Sequence, residues 1–543
     1  MNRSADFALI HGRIWSPGLP RAAALAARDG RVIAVGRDGD IAGLIGSDTR
    51  VLDAGGRRVI PGLIDAHLHL LPGGLRMNQV DVSAADDRAA FVAAIEDFVR
   101  SHSDAGWILG GGWSGDRWPD RADPHRDHVD PITGDRPLFL YRLDCHAALA
   151  NSAALAIAAI TRDGPPDPPG GRIERDAATG EPTGLLRDAA MKRVADRIPP
   201  PTDAERDRAL QAAIKHANQF GLTMVHNMLD AADAPTFERF HRECRLTLRL
   251  FNVVHQQPDA GGIQRWRAMQ PGDDWMRCGG CKTYMDGSLG SRTAWMLEPY
   301  ARGAGPESPC GLRVDGAADE AAMMRQLREA DRAGLQLIAH AIGDAANRRL
   351  LDLIERIDGE DGSRDRRPRI EHAQHVADAD VARFARVRAV ASMQPLHKFE
   401  DGGYAEHTLG ATRARTSYRF RDLLEAGVVL AFGSDWPVVS LNPFEGIGAA
   451  VTGRTRGGNI WMPEQNLCVA DALRAYTTGA AYACGMEDRL GRLLPGYYAD
   501  LVVLDDDPFT IAADGLRNIR PTATVVQGRV VFEGAAQPPS AVH

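Results

Sequence analysis

Between residues 202 and 435 the chain repeats one pattern of hydrophobic and polar positions. An amphipathic stretch with helical period comes first, often ends at a glycine, and is followed by a short apolar run. The first unit opens with Thr202 and Glu205, which have the spacing of a capping box, and passes through Gly221 into the apolar run 222–226. Later units end near residues 340, 372, 394 and 435. Helices that alternate with buried strands predict an α/β fold with a parallel sheet.

Polar residues stand at the carboxyl ends of these predicted strands. Because the active site of a (β/α)8 TIM barrel lies at that rim, we predict such a barrel over residues 61–489. Residues 1–60 and 490–543 read as short strands with glycine turns, and neither segment could bury a core alone. We therefore predict one small β-sandwich domain built from both termini. Residues 70–201 are rich in Gly, Pro and Asp and predict an irregular insertion after the first barrel strand, which would form a lid or substrate wall.

Composition and charge narrow the function classes. The net charge of −8 argues against a nucleic-acid or anionic-membrane surface, which needs a basic excess. No apolar run reaches membrane-spanning length, and the N-terminus lacks the pattern of a signal peptide. The 7 scattered cysteines predict reduced thiols rather than a disulfide framework. These features predict a cytoplasmic protein with no nucleic-acid or membrane partner; whether it forms a homo-oligomer stays open.

Six side chains at or just after predicted strand ends have the chemistry of a metal centre. Imidazoles suit zinc-like ions, and carboxylates can bridge two ions or transfer protons. A lysine ammonium would be repelled by two dications, whereas a carbamate formed from the lysine and CO2 could bridge them. Only 4 of the 64 basic residues are lysines, so a lysine here indicates chemistry that a guanidinium cannot perform. The six residues are His67, His69, Lys282, His340, His372 and Asp435.

Several motifs resemble those of the amidohydrolase superfamily, in particular the branch that contains N-substituted formamide deformylases. They include Pro-Gly-Leu-Ile-Asp-Ala-His-Leu-His at 61–69, Lys-Thr-Tyr-Met-Asp-Gly-Ser at 282–288, Glu-His-Ala-Gln at 371–374 and Gly-Ser-Asp-Trp-Pro at 433–437. The motifs occur in family order over nearly the whole chain. Cys145 departs from the family pattern, in which we expect a glycine before the histidine.

The resemblance implies an enzyme that hydrolyses a non-peptide C–N bond, in an amide or an N-substituted formamide. The six residues above would bind two divalent ions, zinc before manganese or iron, with a carbamate on Lys282. A hydroxide bridging the ions would attack the carbonyl of a small-molecule amide, and Asp435 would act as general acid and base. The implied substrate contacts are Trp113, Asp144, His146 and Arg292.

Two alternatives stay open. In a mononuclear, deaminase-like site His67, His69, His340 and Asp435 would bind one ion, with His372 as an electrophile and Lys282 as a free amine. In the other, the barrel is a non-catalytic scaffold. An intact set of ligand residues argues against the scaffold. The acyl group and the leaving amine of the substrate are not readable from the sequence.

Overall fold

The computed structural model describes residues 4–102, 106–115, 118–143, 145, 147–168, 171–255, 273–302, 308–314 and 319–534. The chain divides into two compact units. The first comprises Met1–Leu70 and Gln211–His543, and the second comprises Leu71–Leu210. The predicted limits of the terminal β domain, at residues 60 and 490, stay predictions.

The first unit is built on eight parallel strands, as predicted for a TIM barrel. Neighbouring strands along the sheet follow chain order, so each connection leads to the adjacent strand. The sheet closes where its edge strands meet: the Asp435 N–H donates to the His67 carbonyl at 2.7 Å, and the His69 N–H donates to the Trp436 carbonyl at 2.8 Å. The eight strands are Leu63–Leu68, Leu222–Leu229, Arg249–His255, Met276–Tyr284, Gln336–Ala341, Arg369–His372, Val390–Met393 and Val429–Phe432.

Helices connect these strands at most of the predicted places. The predicted capping box is confirmed: the Thr202 N–H donates to Glu205 Oε2 at 2.7 Å, and the Glu205 N–H donates to Thr202 Oγ1 at 3.3 Å. Among the described residues no helix is long and apolar enough to cross a membrane. Helices of this unit are Asp38–Ile41, Ala234–Arg242, Glu320–Arg332, Asp344–Glu360, Asp378–Arg386, Pro395–Asp401, Ala405–Leu409, Ala411–Ala414, Phe420–Glu425, Pro443–Thr452, Val469–Ala475 and Thr478–Ala483; Leu70–Arg76 and Asp203–Gln219 cross the unit limits.

Two smaller sheets contain the first and last strands of the described residues. A four-stranded sheet has the order Arg31–Gly36, Ala24–Arg28, Phe7–Ile10, Arg50–Asp53. A five-stranded sheet has the order Arg13–Ile14, Arg58–Pro61, Leu501–Leu504, Pro521–Val526, Arg529–Glu533, so strands from both termini pair in it. Side chains of both sheets, including Leu9, Leu25, Val59 and Val525, share one hydrophobic cluster. Their packing as a sandwich stays a prediction.

The second unit corrects the expectation of an irregular insertion. It contains a six-stranded sheet in the order Gly171–Arg175, Pro182–Asp188, Ala147–Ala150, Leu138–Arg142, Ile108–Trp113, Val80–Asp81. The glycines Gly110 to Gly112 contributed to the expectation of irregular structure, because glycine normally indicates a loop, but they lie inside a strand. A Cβ at Gly110 would lie 2.1 Å from the Val80 carbonyl oxygen, so the close approach of the neighbouring strand requires glycine. Helices here are Arg88–Ser101, Asp130–Thr133, Ser152–Ile157 and Lys192–Ala195.

Candidate metal centre

The six predicted ligands lie at the carboxyl-terminal side of the barrel strands. His67 is in the first strand and His69 follows it, Lys282 is in the fourth, and His340 is in the fifth. His372 is the last residue of the sixth strand, and Asp435 follows the eighth by three positions. Since the strands are parallel and the sheet closes, their carboxyl ends form one rim.

Four of the five His and Asp members meet directly at this rim. Ligand atoms of His67, His372 and Asp435 lie within 4.8 Å of one another. The Nε2 atoms of His67 and His69 each lie 3.4 Å from Asp435 Oδ1. The ring centroids of His340 and His372 are 4.5 Å apart, which places the fifth member beside the others.

Lys282 is buried in the same region. Its side chain passes the ring of Tyr284, with Nζ 5.2 Å from the ring centroid. Burial lowers the pKa of Lys282 to about 8, against the opposing attraction of Glu371 and Asp435. With that pKa, about one tenth of the amine is neutral at pH 7, compared with well under a thousandth for an exposed lysine.

The orientation of His67 is set by a buried carboxylate. Its Nδ1 lies 2.5 Å from Glu371 Oε2, and Glu371 Oε1 accepts a hydrogen bond of 2.9 Å from Arg369 Nε. Arg369 is buried in the barrel and also donates to the Ala66 carbonyl. Because an ionised carboxylate only accepts, Nδ1 of His67 carries the proton and Nε2 has the free lone pair.

Acceptor oxygens fix two further histidines of the cluster, His372 and His340, in the same way. His372 Nδ1 lies 2.7 Å from Gln394 Oε1, so His372 presents Nε2 as its ligand atom. His340 Nε2 lies 3.0 Å from the Gly287 carbonyl oxygen, so His340 presents Nδ1 instead. Each imidazole therefore has one nitrogen held by the protein and one left for a ligand.

Charge states in the cluster are those that a cation requires. Burial lowers the pKa of His67, lowers that of His340 to about 3, and lowers that of His372 well below its ordinary value, so all three are neutral at pH 7. Burial alone would raise the pKa of Asp435, but a hydrogen bond from the His69 side chain opposes this, and the pKa lies well below its ordinary value. Neutral imidazoles beside an ionised carboxylate are the donors that zinc-like divalent ions prefer.

Backbone strain coincides with two of these ligands. His372 and Asp435 have φ values of 72° and 59°, in the left-handed region that non-glycine residues rarely adopt. Buried Asp65 supports the turn at Asp435, because its carboxylate accepts hydrogen bonds from the His67 and Ser434 N–H groups at 3.0 and 3.1 Å. Strained conformations of this kind persist where surrounding hydrogen bonds hold them, and they concentrate at functional sites.

Of the four predicted substrate contacts, two lie among the described residues and two do not. Trp113 is fully buried in the hydrophobic core of the second unit, where its indole N–H donates to the Leu140 carbonyl at 3.1 Å. Arg292 lies in the loop after the fourth barrel strand and donates to the Gly290 carbonyl. Asp144 and His146 lie outside the described residues. Their roles in substrate binding stay predictions.

Sequence reasoning gave no role to several polar residues that surround the cluster. Glu371 and Gln394 orient ligands, as described above. His255 ends the third barrel strand, and its ring stacks on Tyr284 with centroids 5.8 Å apart. His397 lies in the helix after the seventh strand, with Nε2 3.9 Å from Asp435 Oδ2. The rule that predicted the cluster, a polar residue at a barrel-strand end, also applies to His255 and Gln394.

Comparison with known proteins agrees with this geometry. The sequence model of the Amidohydrolase family matches residues 50–532. The chain belongs to this family. The amidohydrolase is 37% identical over 525 residues to Protein LONG AFTER FAR-RED 3 of Arabidopsis thaliana. The alignment covers 92% of this chain and 87% of the relative. The amidohydrolase is also 28% identical over 560 residues to the N-substituted formamide deformylase of Arthrobacter pascens, covering 98% and 99% of the two chains.

A solved structure has a similar fold. This amidohydrolase matches the crystal structure of an uncharacterized metal-dependent hydrolase from Pyrococcus furiosus with a TM-score of 0.73 and 26% identity. The match covers 93% of this chain and 100% of that one. The family, the fold and the ligand cluster together support a metal-dependent hydrolase.

Proposed function

We propose that the protein hydrolyses a non-peptide C–N bond in a small-molecule amide, with an N-substituted formamide as the first substrate class to test. The observation that carries the proposal is the placement of Asp435 Oδ1 at 3.4 Å from both His67 Nε2 and His69 Nε2. One carboxylate oxygen therefore points at the ligand atoms, and the other is left for proton transfer. Similarity to the formamide deformylase over 98% of this chain supports the choice of substrate class.

The residues present fit a divalent metal centre. His67, His69 and Asp435 would hold one ion, His340 and His372 a second, and a carbamate on Lys282 would bridge them. A bound metal pair would supply Lewis-acid polarisation of the carbonyl and lower the pKa of water. Zinc is the first choice because the donors are imidazole nitrogens and carboxylate oxygens, with manganese and iron as alternatives.

The carbamate proposal depends on the state of Lys282. An ammonium has no lone pair with which to attack CO2, whereas the neutral amine does. Burial, which lowers the pKa of Lys282 to about 8, therefore makes the side chain reactive near neutral pH. The Lys282 amine lies near Tyr284 and Glu371, beside the proposed ligands, and is not exposed to solvent.

Asp435 would carry the proton through the reaction. Its pKa is held low by the hydrogen bond from His69, so it begins as a carboxylate that can orient water and accept its proton. It would then deliver that proton to the leaving nitrogen, since expulsion of a neutral amine avoids an unstable amide anion. General acid–base assistance of this kind contributes about 10²- to 10⁴-fold in rate.

The mononuclear alternative makes a different prediction. If Lys282 stays an amine and His372 acts as an electrophile, the protein binds about one zinc per chain whether or not bicarbonate is added. In the proposed centre, bicarbonate raises zinc binding toward two per chain. Mass spectrometry of metal content after reconstitution with and without bicarbonate separates the two models.

Activity itself is tested with zinc-loaded protein on a panel of N-alkyl formamides, N-aryl formamides and matched acetamides. Release of the amine is followed with a fluorogenic amine reagent. The proposal expects turnover of at least one formamide and about a 10²-fold or greater loss in Asp435→Asn, which keeps shape but cannot accept a proton. Absence of turnover across the panel, with zinc bound, would reject this substrate class.

A further inference from the structure

A chain of hydrogen bonds ends beside the metal centre at His397. The residue lies in the helix Pro395–Asp401, directly after the seventh barrel strand. Its Nε2 atom is buried and has no hydrogen-bond partner among the described residues. The nearest carboxylate oxygen, Asp435 Oδ2, is 3.9 Å away, beyond hydrogen-bond distance. Burial of an unpaired polar atom is unfavourable, so its position at the site requires a reason.

The hydrogen-bond chain fixes which nitrogen of His397 carries the proton. Asp401, a buried carboxyl, accepts from the Tyr418 hydroxyl at 2.6 Å and from the Tyr404 hydroxyl at 2.5 Å. The single hydroxyl hydrogen of Tyr418 is thereby used, so its oxygen accepts from Gln374 Nε2 at 2.7 Å. The same Gln374 amide nitrogen lies 3.4 Å from His397 Nδ1.

The donor and acceptor in each hydrogen bond from Tyr418 to His397 follow from these contacts. With its oxygen turned toward Tyr418, Gln374 would place two acceptors against each other, because the Tyr418 hydrogen already goes to Asp401. The amide therefore donates to both neighbours, His397 Nδ1 accepts, and Nε2 of a neutral His397 carries the hydrogen. The ring is also held in place: it lies nearly parallel to the His372 ring, with centroids 6.0 Å apart and an interplanar angle of 12°.

We propose that His397 Nε2–H is a hydrogen-bond donor to the carbonyl oxygen of the substrate, and that Gln374 and Tyr418 position it. The proposal deepens the function proposed above and rests on it for the identity of the acyl substrate. Asp435 Oδ1 faces His67 and His69, whereas Oδ2 faces His397. A substrate carbonyl attacked beside Asp435 would therefore have its oxygen near His67 and His69 or near His397. A fixed donor aimed at that oxygen stabilises the negative charge that develops on it.

Binding of acetohydroxamate tests the donor without requiring turnover. Its carbonyl oxygen stands in for that of the substrate, and calorimetry with the zinc-loaded full chain gives its affinity. We expect His397→Phe to weaken acetohydroxamate binding about tenfold, the loss of one hydrogen bond, at unchanged zinc content. His397→Gln, whose amide can restore an N–H donor, should bind within about threefold of wild type. The matched control is His407→Phe at an exposed position, which should have no effect.

Gln374→Met tests the direction of the chain. Without the amide donor the two neutral tautomers of His397 become comparable in population, so affinity should fall about twofold rather than tenfold. Tight acetohydroxamate binding by His397→Phe would overturn the proposal, and so would loss of zinc from that variant, which would make His397 a ligand. Formamide turnover with unchanged kcat and KM in His397→Phe would overturn this inference alone. His397-dependent binding without any turnover would overturn only the proposed reaction.

Discussion

Replacing Glu371 by glutamine isolates the contribution of the buried carboxylate behind His67. One Glu371 oxygen faces His67 Nδ1 at 2.5 Å, and the other accepts from Arg369 Nε at 2.9 Å. Glutamine has the same shape but only one oxygen, so its amide nitrogen must face one of these two donors. Either the His67 ring loses its acceptor or the buried Arg369 guanidinium does.

The magnitude follows from these two cases. If His67 loses its acceptor, its tautomer is no longer fixed and its basicity falls; loss of such a partner typically lowers metal affinity by about 10- to 100-fold. In either orientation the neutral amide removes the counter-charge of the buried Arg369 guanidinium, and breaking a buried ion pair of this kind costs about 3–5 kcal/mol in folding free energy. We therefore expect Glu371→Gln to reduce the unfolding free energy of the metal-free protein and, if His67 loses its acceptor, to weaken zinc binding about 10-fold or more.

Two measurements distinguish these outcomes. Competition with a chromogenic chelator gives the zinc dissociation constant, and urea unfolding of metal-free protein gives the stability. Glu406→Gln, at an exposed position, is the matched control and should change neither quantity. Zinc affinity within about threefold of wild type, together with unchanged stability, would refute the assignment of Glu371 as the residue that orients His67.

Three further predictions follow from the same structure. Lys282→Ala should lower zinc content from about two to about one per chain and abolish turnover; full activity would reject the carbamate. Because the pKa of Lys282 is about 8, reactivation of metal-free protein by zinc at a constant concentration of dissolved CO2 should speed up with pH, about tenfold from pH 6 to 7, and level off above 8. Arg249→Met should cost about 3–5 kcal/mol in urea unfolding because it leaves Asp500 buried and unpaired, unlike Arg50→Met at an exposed pair.

Much of the barrel was predictable because its signals are local. The helix Asp378–Arg386 precedes the strand Val390–Met393 as the repeated pattern indicates, and the capping box at Thr202 forms as its spacing indicates. The second unit was mispredicted because its signals are not local. Gly110 and Gly111 lie in a strand where a Cβ would come within 2.1 Å of a backbone oxygen of the adjacent strand, a constraint that only the folded sheet imposes.

That the six candidate ligands lie close together was predictable for a topological reason, whereas their supporting residues were not. A parallel barrel brings strand carboxyl ends together, so polar residues at those ends meet wherever they occur in the chain. Which acceptor holds which imidazole depends on pairs such as His372 with Gln394, which follows the adjacent strand, and His67 with Glu371, 304 positions apart. Neither pairing has a signature in sequence spacing.

The neighbouring residues Glu371 and His372 show how the strand end makes the site. In a regular strand, adjacent side chains point to opposite faces, so only one of the two could reach His67. Yet Glu371 Oε2 lies 2.5 Å from His67 Nδ1, and the His372 ring centroid lies 5.1 Å from that of His67. The φ of 72° at His372 breaks the alternation and turns its side chain to the same side. The strained backbone thereby lets one strand supply both a candidate metal ligand and the residue that orients another candidate ligand.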